Sequence, residues 1–291
     1  MARVAYVSGR YVRLSEAGVS VEDRGFQFAD GVYEVLLLHR GRLIDAGLHL
    51  DRWDRSLRAL RIAPPMGRAA LLAVVAELIR RNRLRSGLIY LQATRGVARR
   101  DHAFPARAHP TLVATARPIG DLPREVAGWS TTAITHPDER WARCDIKTTG
   151  LLPNVLARQA AREAGAGEAI LIAADGTVTE GAATNVWIVD AGGTLCTHPL
   201  DHAILPGCTR AALLALLRGR GITVREAGFD VAALRGAREI MLTGATTLLK
   251  PVLALDGVAV GDGRPGPVAQ FLFDLFRQHM AGQEGNQPNR Q

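Results

Sequence analysis

Lysine is nearly absent from this 291-residue chain: Lys147 and Lys250 stand against 34 arginines. An amine can lose its proton and attack a carbonyl, whereas a guanidinium stays charged. Lys147 lies in RCDIKTTGLLPN (143–154) and is a candidate for Schiff-base chemistry, a solvated charge being the competing reading. Glu180 closes the period-two run TVTEG just before a glycine, which suits a placed acid or a strand-end carboxylate facing water. LPGCTRAALLALL and LTGATTLL set glycine and threonine where backbone N–H groups are free, the first at a helix start. Such places hold a phosphate or merely cap the chain. Arg52 in LHLDRW is one candidate to complete an anion clamp.

An amine, an acid and an anion cradle are the parts that a pyridoxal phosphate site requires, because an acid at the pyridine nitrogen makes the ring an electron sink. Other chemistries have less support. The eight histidines include no H-E-x-x-H pair, the three cysteines lack zinc spacing, and there is no G-x-S-x-G or G-x-x-x-x-G-K-[ST]. No strand is followed by G-x-G-x-x-G, so a dinucleotide site is not expected, and neither is a metal.

Composition sets the frame for these groups. At 47% hydrophobic and 22% charged the chain is long enough for one large or two modest cored domains. Its net charge of +8 comes from dispersed arginines without a Lys/Arg run, so a nucleic-acid partner is not expected, although a basic field steers anionic substrates. Cys144, Cys196 and Cys208 form no disulfide framework, which points to a reducing, cytoplasmic location. The longest apolar stretch, AALLAVVAELI (69–79), is too short to span a bilayer.

The elements that must position the reactive groups fall into two sets. VAYVSGRYV and VYEVLLLHRGRLIDA read as strands of an antiparallel sheet, the second turning at His39-Arg40-Gly41. Leu50, Trp53, Leu57 and Leu60, then Leu71, Val74, Val75, Leu78 and Ile79, recur at helical spacing and predict two helices covering that sheet. GLIYLQATRG and HPTLVATARPI return to strand, and VARRDHAFPARA between them is a candidate functional loop. Pro118, Gly120 and Pro123 mark a linker. Beyond it STTAITH, EAILIAADGTVTEG, TNVWIVDAGGTLCTH and EIMLTG predict strands, and PNVLARQAAREAG, CTRAALLALLRGRG and PGPVAQFLFDLFRQHM predict helices. The expected division is a small N-terminal α/β domain (1–120), a larger C-terminal domain (121–281) and a disordered tail (282–291).

With these segments in view the chain resembles the class IV aminotransferases, pyridoxal phosphate enzymes of fold type IV, and among them the bacterial D-amino acid aminotransferases. The resemblance runs from EDRGFQFADGVYE through LHLDRW, IYLQATRG, RRDHAFP, RWARCDIK, TVTEGAATNVW and LPGCTR to LTGATTLLKPV. It implies a two-domain α+β fold whose larger domain carries a largely antiparallel, barrel-like sheet.

The resemblance also implies roles. Lys147 would be the Schiff-base lysine and proton shuttle, and Glu180 the partner of the pyridinium nitrogen. Arg52 would hold the phosphate with Cys208, Thr209, Ala245 and Thr246, while Leu205 packs on the cofactor ring. Tyr33, Arg100 and His102 resemble the family's trap for the substrate carboxylate, whose arginine and histidine come from the partner subunit, so a homodimer is implied. The implied reaction is ping-pong exchange of an amino group between a D-amino acid, such as D-alanine or D-glutamate, and a 2-oxo acid. A branched-chain L-amino acid or (R)-amine aminotransferase and an aminodeoxychorismate lyase are the alternatives on the same fold. Arg99 beside Arg100 leaves the register of the loop open. Ala182-Ala183-Thr184 and Ala245 stand where hydroxyls are common in the family, and their backbone N–H groups are expected to serve instead.

Overall fold

The structure is a computed structural model that describes residues 3–285. The chain divides into two compact units, the first running to Asp121 and taking in Ile146–Gly150, the second comprising Leu122–Asp145 and the chain from Leu151 onward.

The first unit contains β1 (Val4–Val7), β2 (Arg10–Arg13), α1 (Arg24–Phe28), β3 (Gly31–His39), β4 (Arg42–Leu43), α2 (Ala46–Ala59), α3 (Arg68–Asn82), β5 (Gly87–Thr94) and β6 (Thr111–Pro118). VAYVSGRYV is a hairpin, turned at Ser8 and Gly9, whose φ values of 38° and 99° match the twist of paired strands. The sheet is antiparallel throughout, in the order β2-β1-β6-β5-β3-β4. Period two decides what each residue of β3 faces. Val32 and Leu36 point with Ile89, Leu91, Ala114 and Ala116 into a core shared with Leu50, Trp53 and Leu57 of α2 and Leu71, Val75 and Leu78 of α3. Burying each of the valine, leucine and isoleucine side chains contributes about 1.5–3 kcal/mol. Glu34 lies between Val32 and Leu36 on that same face, so the register drives a carboxylate into the core. Tyr33 consequently faces the other way.

Helix α2 carries two stripes at helical spacing. Leu50, Trp53 and Leu57 form the apolar one, and His49, Arg52 and Ser56 form a buried polar one beside it. The short α1, absent from the sequence expectation, is capped by Asp23, whose side chain accepts from the Gly25 N–H at 2.8 Å and from the Thr94 hydroxyl at 3.0 Å. Gly96 follows β5 at φ 98°, and a β-carbon there would run into the His109 carbonyl across the base of the 97–110 loop. Gly96→Ala is expected to lower stability by about 2–3 kcal/mol, read as a shift in the urea midpoint at constant slope.

The second unit contains β7 (Thr131–Pro137), α4 (Leu152–Glu163), β8 (Glu168–Ile172), β9 (Val178–Gly181), β10 (Asn185–Val189), β11 (Leu195–Thr197), α5 (Cys208–Arg218), β12 (Arg225–Glu226), α6 (Val231–Arg235), β13 (Glu239–Gly244), β14 (Leu248–Leu255), β15 (Val258–Ala259) and α7 (Pro267–Gly285). Its sheet runs β12-β11-β10-β13-β14-β7-β8-β9, with parallel pairing only at β11–β12, β14–β7 and β7–β8, and β15 pairs β14. Only residues 182–184 separate β9 from β10, although four strands intervene between them in the sheet. The sheet therefore curls on itself into a half-barrel, in keeping with the barrel-like sheet expected, and is filled by Ile170, Val178, Val186, Ile188, Ile240, Leu242 and Val252.

Strand β14 was not expected beyond EIMLTG because Lys250 and Pro251 interrupt its pattern. Its ladder to β7 starts only at Val252, next to the proline, and slips in register before Ala254. At the other end, α7 continues through Gly285 past the start of the expected tail at 282, and residues 286–291 lie outside the described residues.

Candidate active site

Lys147 owes its place to the polar stripe of α2. Its backbone N–H donates to the Ser56 hydroxyl at 3.2 Å, and its carbonyl accepts from the Tyr33 N–H at 3.0 Å, while Val32 and Thr148 form a bridge. The segment Ile146–Gly150 is thus stitched to β3. Nζ of Lys147 lies 4.2 Å from the centre of the Tyr33 ring, which stacks on Tyr90 at 5.7 Å. Burial, then the neighbouring Tyr33, push the Tyr90 hydroxyl up to about 12, so it stays protonated and donates to Gln92 Oε1 at 2.6 Å.

Near this lysine is a buried ionic group of which sequence reading named only Arg52. Arg52 forks onto Glu34, with Nε to Oε1 at 2.6 Å and Nη2 to Oε2 at 2.9 Å, and His49 Nδ1 lies 2.8 Å from Oε2. Glu34 is 0% exposed. Burial by itself would push its carboxyl up, but the Arg52 charge, the His49 and Arg52 hydrogen bonds and the Lys147 charge together hold it down at about 2. The signal was present in GVYE, a charged residue on the apolar phase of a strand.

Glu180 is 5% exposed, which removes the reading of a strand-end acid facing water. The Leu205 N–H reaches both of its oxygens at 3.1 Å, Asn185 Nδ2 donates to Oε2 at 3.0 Å, and Arg140 forms an ion pair with Oε1. Asn185 also donates to the Leu205 carbonyl at 2.9 Å, so Leu205, assigned a packing role, is tied to the acid through its backbone. Arg140 is held in turn by Asp138 at 2.8 and 2.7 Å and by the Ala203 carbonyl at 2.9 Å. Burial disfavours its charge, yet Asp138 and Glu180 outweigh this and raise its pKa. Burial pushes the neighbouring Cys144 up to about 11, against the pull of Arg140, so it remains a thiol. Arg140 opens the RWARCDIK run, and only the fold shows why an arginine stands there.

The two glycine–threonine segments lie at a helix start and in a strand-to-strand turn. Cys208 and Thr209, both buried, begin α5 after Gly207, with their N–H groups in its first turn. Ala245 and Thr246 lie in the turn between β13 and β14, with Thr246 exposed, and Leu248 just after them is held at φ 57°, strained for a branched residue. Trp129 anchors this turn by donating to the Thr247 carbonyl at 2.7 Å. The other lysine, Lys250, lies 3.9 Å from the Trp129 ring centre, and burial with help from Arg158 lowers its pKa against the pull of Glu168. One expectation requires correction. Of the backbone N–H groups expected to serve an anion, that of Ala182 donates to the Ala169 carbonyl at 2.9 Å and is not spare, because the β9–β10 turn is tied back to β8, where the Thr184 hydroxyl also donates to Glu168 at 3.1 Å.

Arg100 and His102 are both exposed and both rest on Phe28, the guanidinium 4.6 Å and the imidazole 5.4 Å from its ring centre. Tyr33 is placed with Lys147 instead. Within one chain no hydrogen bond or ring contact joins the two groups among the described residues.

A model of the family described as amino-transferase class IV matches residues 31–255. A D-alanine aminotransferase from Staphylococcus haemolyticus is 38% identical over 280 residues, covering 94% of this chain and 97% of its own. The branched-chain amino acid aminotransferase of Escherichia coli matches the fold with a TM-score of 0.87 at 26% identity, over 100% of this chain and 97% of that one. A hypothetical aminotransferase from Mycobacterium tuberculosis, in its PLP-bound form, matches with a TM-score of 0.81 at 25% identity, over 96% of this chain and 99% of that one.

Proposed function

From a chain that belongs to the class IV aminotransferases, we propose an enzyme that moves an amino group between a D-amino acid and a 2-oxo acid. Enzymes of this class depend on pyridoxal phosphate, which when bound supplies the carbonyl that accepts the amine and the ring that takes up charge. The residues present fit that group: a partly buried amine at Lys147, a buried ionised cluster at Arg52, a carboxylate at Glu180 caged by an arginine, an amide and a backbone N–H, and a helix start at Cys208–Thr209.

In this reading Lys147 Nζ would bond the cofactor carbonyl and would carry the proton to and from the substrate Cα. Glu180, whose carboxylate Arg140 and Asn185 fix in one orientation, would keep the ring nitrogen protonated. Arg52, Cys208, Thr209, Ala245 and Thr246 would hold the phosphate, and Leu205 would pack on the ring. Tyr33 closes the substrate side with Arg100 and His102 of the second copy, whose fork grips the carboxylate so that one hand of amino acid presents its Cα–H to Lys147. Residues 1–120 would form the smaller domain and 121–281 the cofactor-binding one.

The observation that carries the D-specific reading is Arg100 and His102 presented together on Phe28, in a chain whose curated relatives are D-alanine aminotransferases. The branched-chain enzyme among the structural matches favours the alternative, an L-amino acid substrate. A homodimer is supported by exposed apolar groups, Val21 and Phe26 in the first unit and Leu152, Val155 and Leu156 in the second. A cytoplasmic location is supported by the buried free thiols of Cys144 and Cys196; no helix among the described residues is long and apolar enough to cross a membrane.

Single-turnover mixing with D-alanine, L-leucine, an (R)-arylamine and aminodeoxychorismate tests the assignment. D-Alanine is expected to bleach the visible band of the bound cofactor fastest, by about 100-fold over L-leucine. Faster bleaching by L-leucine would transfer the enzyme to the branched-chain reading.

A further inference from the structure

Arg24 is only 3% exposed, yet it lies beneath an exposed loop. Its Nη1 donates to the carbonyl of Asp101 at 2.5 Å and to that of Ala103 at 3.3 Å, and its Nη2 donates to that of His102 at 3.4 Å. Three consecutive carbonyls therefore curl around one guanidinium. Nε is fixed from behind by Asp30 at 2.8 Å, and Asp30 is itself gripped by Arg95 at 2.7 and 2.9 Å. Arg95 donates onward to the carbonyls of Leu60 and Arg61 at 2.7 and 2.9 Å and stacks on Phe104 at 3.6 Å. Phe28 completes the assembly, with Arg24 4.9 Å from its ring centre and Arg100 and His102 also packed on it.

This arrangement exceeds what holding a loop closed requires. A five-donor fork spends its donors on the peptide groups flanking His102, and an aromatic ring fixes the side chains of Arg100 and His102. The loop is otherwise exposed and lacks apolar anchors between Arg99 and Ala103. Without Arg24 and Phe28, the two exposed side chains would sample many rotamers, and ordering them on binding would weaken the grip on a carboxylate.

We propose that Arg24, backed by Asp30 and working with Phe28, is a positioning residue that pre-sets the aim of Arg100 and His102 at a substrate carboxylate held in the second copy of the chain. The proposal rests on the carboxylate-trap reading of Arg100 given above. It also resolves the register of the loop, since Arg100 is the arginine that Phe28 carries.

The test uses the holoenzyme and three variants. Arg24→Lys keeps the charge but loses the fork, Phe28→Leu keeps the carbonyl bonds but loses the ring, and Arg100→Ala removes the trap itself. Arg24→Lys is expected to raise KM for D-alanine and the inhibition constant of propionate by about 10- to 100-fold. Phe28→Leu should shift both in the same direction. Hydroxylamine, which attacks the bound cofactor and has no carboxylate, should bleach its visible band at the wild-type rate in both variants. Equal losses toward hydroxylamine and D-alanine would show general loosening and overturn the proposal. If Arg100→Ala raises both constants and the other two variants leave them unchanged, the proposal fails and the trap reading stands. If Arg100→Ala leaves them unchanged, both fail. Should Arg24→Lys not fold, Phe28→Leu decides on the same readouts.

Discussion

Lys147→Arg is expected to lower turnover of D-alanine by about 10⁴-fold or more, because the role proposed for Lys147 makes it both the covalent partner of the cofactor and the proton carrier. Arginine is the informative replacement. It retains a cation over the Tyr33 ring and beside Glu34, so the electrostatics that help depress the Glu34 carboxyl survive, and the melting temperature should stay within about 2 °C. The backbone bonds of Lys147 to Ser56 and Tyr33 do not involve its side chain. What disappears is an amine able to deprotonate. Borohydride treatment of the wild-type holoenzyme followed by peptide mass mapping should place the cofactor on the peptide containing Lys147, and the variant should carry none. Recovery of label on Lys250, or retention of more than about a tenth of the turnover, would remove Lys147 from its assigned role.

The second large effect is on stability. Arg52→Leu should cost about 3–5 kcal/mol, because it leaves Glu34 fully buried without the cation that compensates it. Acid response supplies the specific signature. In the wild type the Glu34 carboxyl is depressed from 4.5 to about 2 on folding. Its contribution is therefore fully present above pH 4.5 and is lost as pH falls toward 2, and at about 1.4 kcal/mol per unit it amounts to roughly 3 kcal/mol. Without Arg52, burial dominates and the folded-state pKa rises above the unfolded one. The sign then reverses: stability falls as pH rises through the new value. Urea titrations from pH 4 to pH 7 should show the variant losing stability relative to the wild type toward pH 7, and a difference independent of pH would contradict this account. On the phosphate-holding role proposed for Arg52, weaker cofactor retention should accompany it, visible as faster release on gel filtration.

Much of this was legible in the sequence, for identifiable reasons. Helix α2 showed its apolar stripe because Leu50, Trp53 and Leu57 recur at 3.6-residue spacing, and β3 and β5 showed theirs by alternation. Lys147 stood out by residue type alone. The polar stripe His49–Arg52–Ser56 on the same helix carried the same period, but its burial depends on Glu34 and Lys147 arriving from β3 and the 146–150 segment, which local patterning does not contain. Strand β14 was hidden by Lys250 and Pro251, and α1 by its five-residue length, too short for a periodic signal.

By itself, then, the sequence determined the long periodic elements, where the chain turns between them and which side chains have the chemistry of an aminotransferase, because these follow from periodicity, turn residues and residue type. Only the tertiary structure decided the state of those side chains. Sheet register turned Glu34 inward to meet Arg52, the curl of the second sheet brought residues 138–140 and Leu205 to Glu180, and the fold of the first unit set Arg24 under the carbonyls that flank His102. Each is a contact between residues 18 to 79 positions apart. The free energy of a buried charge depends on such neighbours far more than on the residue that carries it.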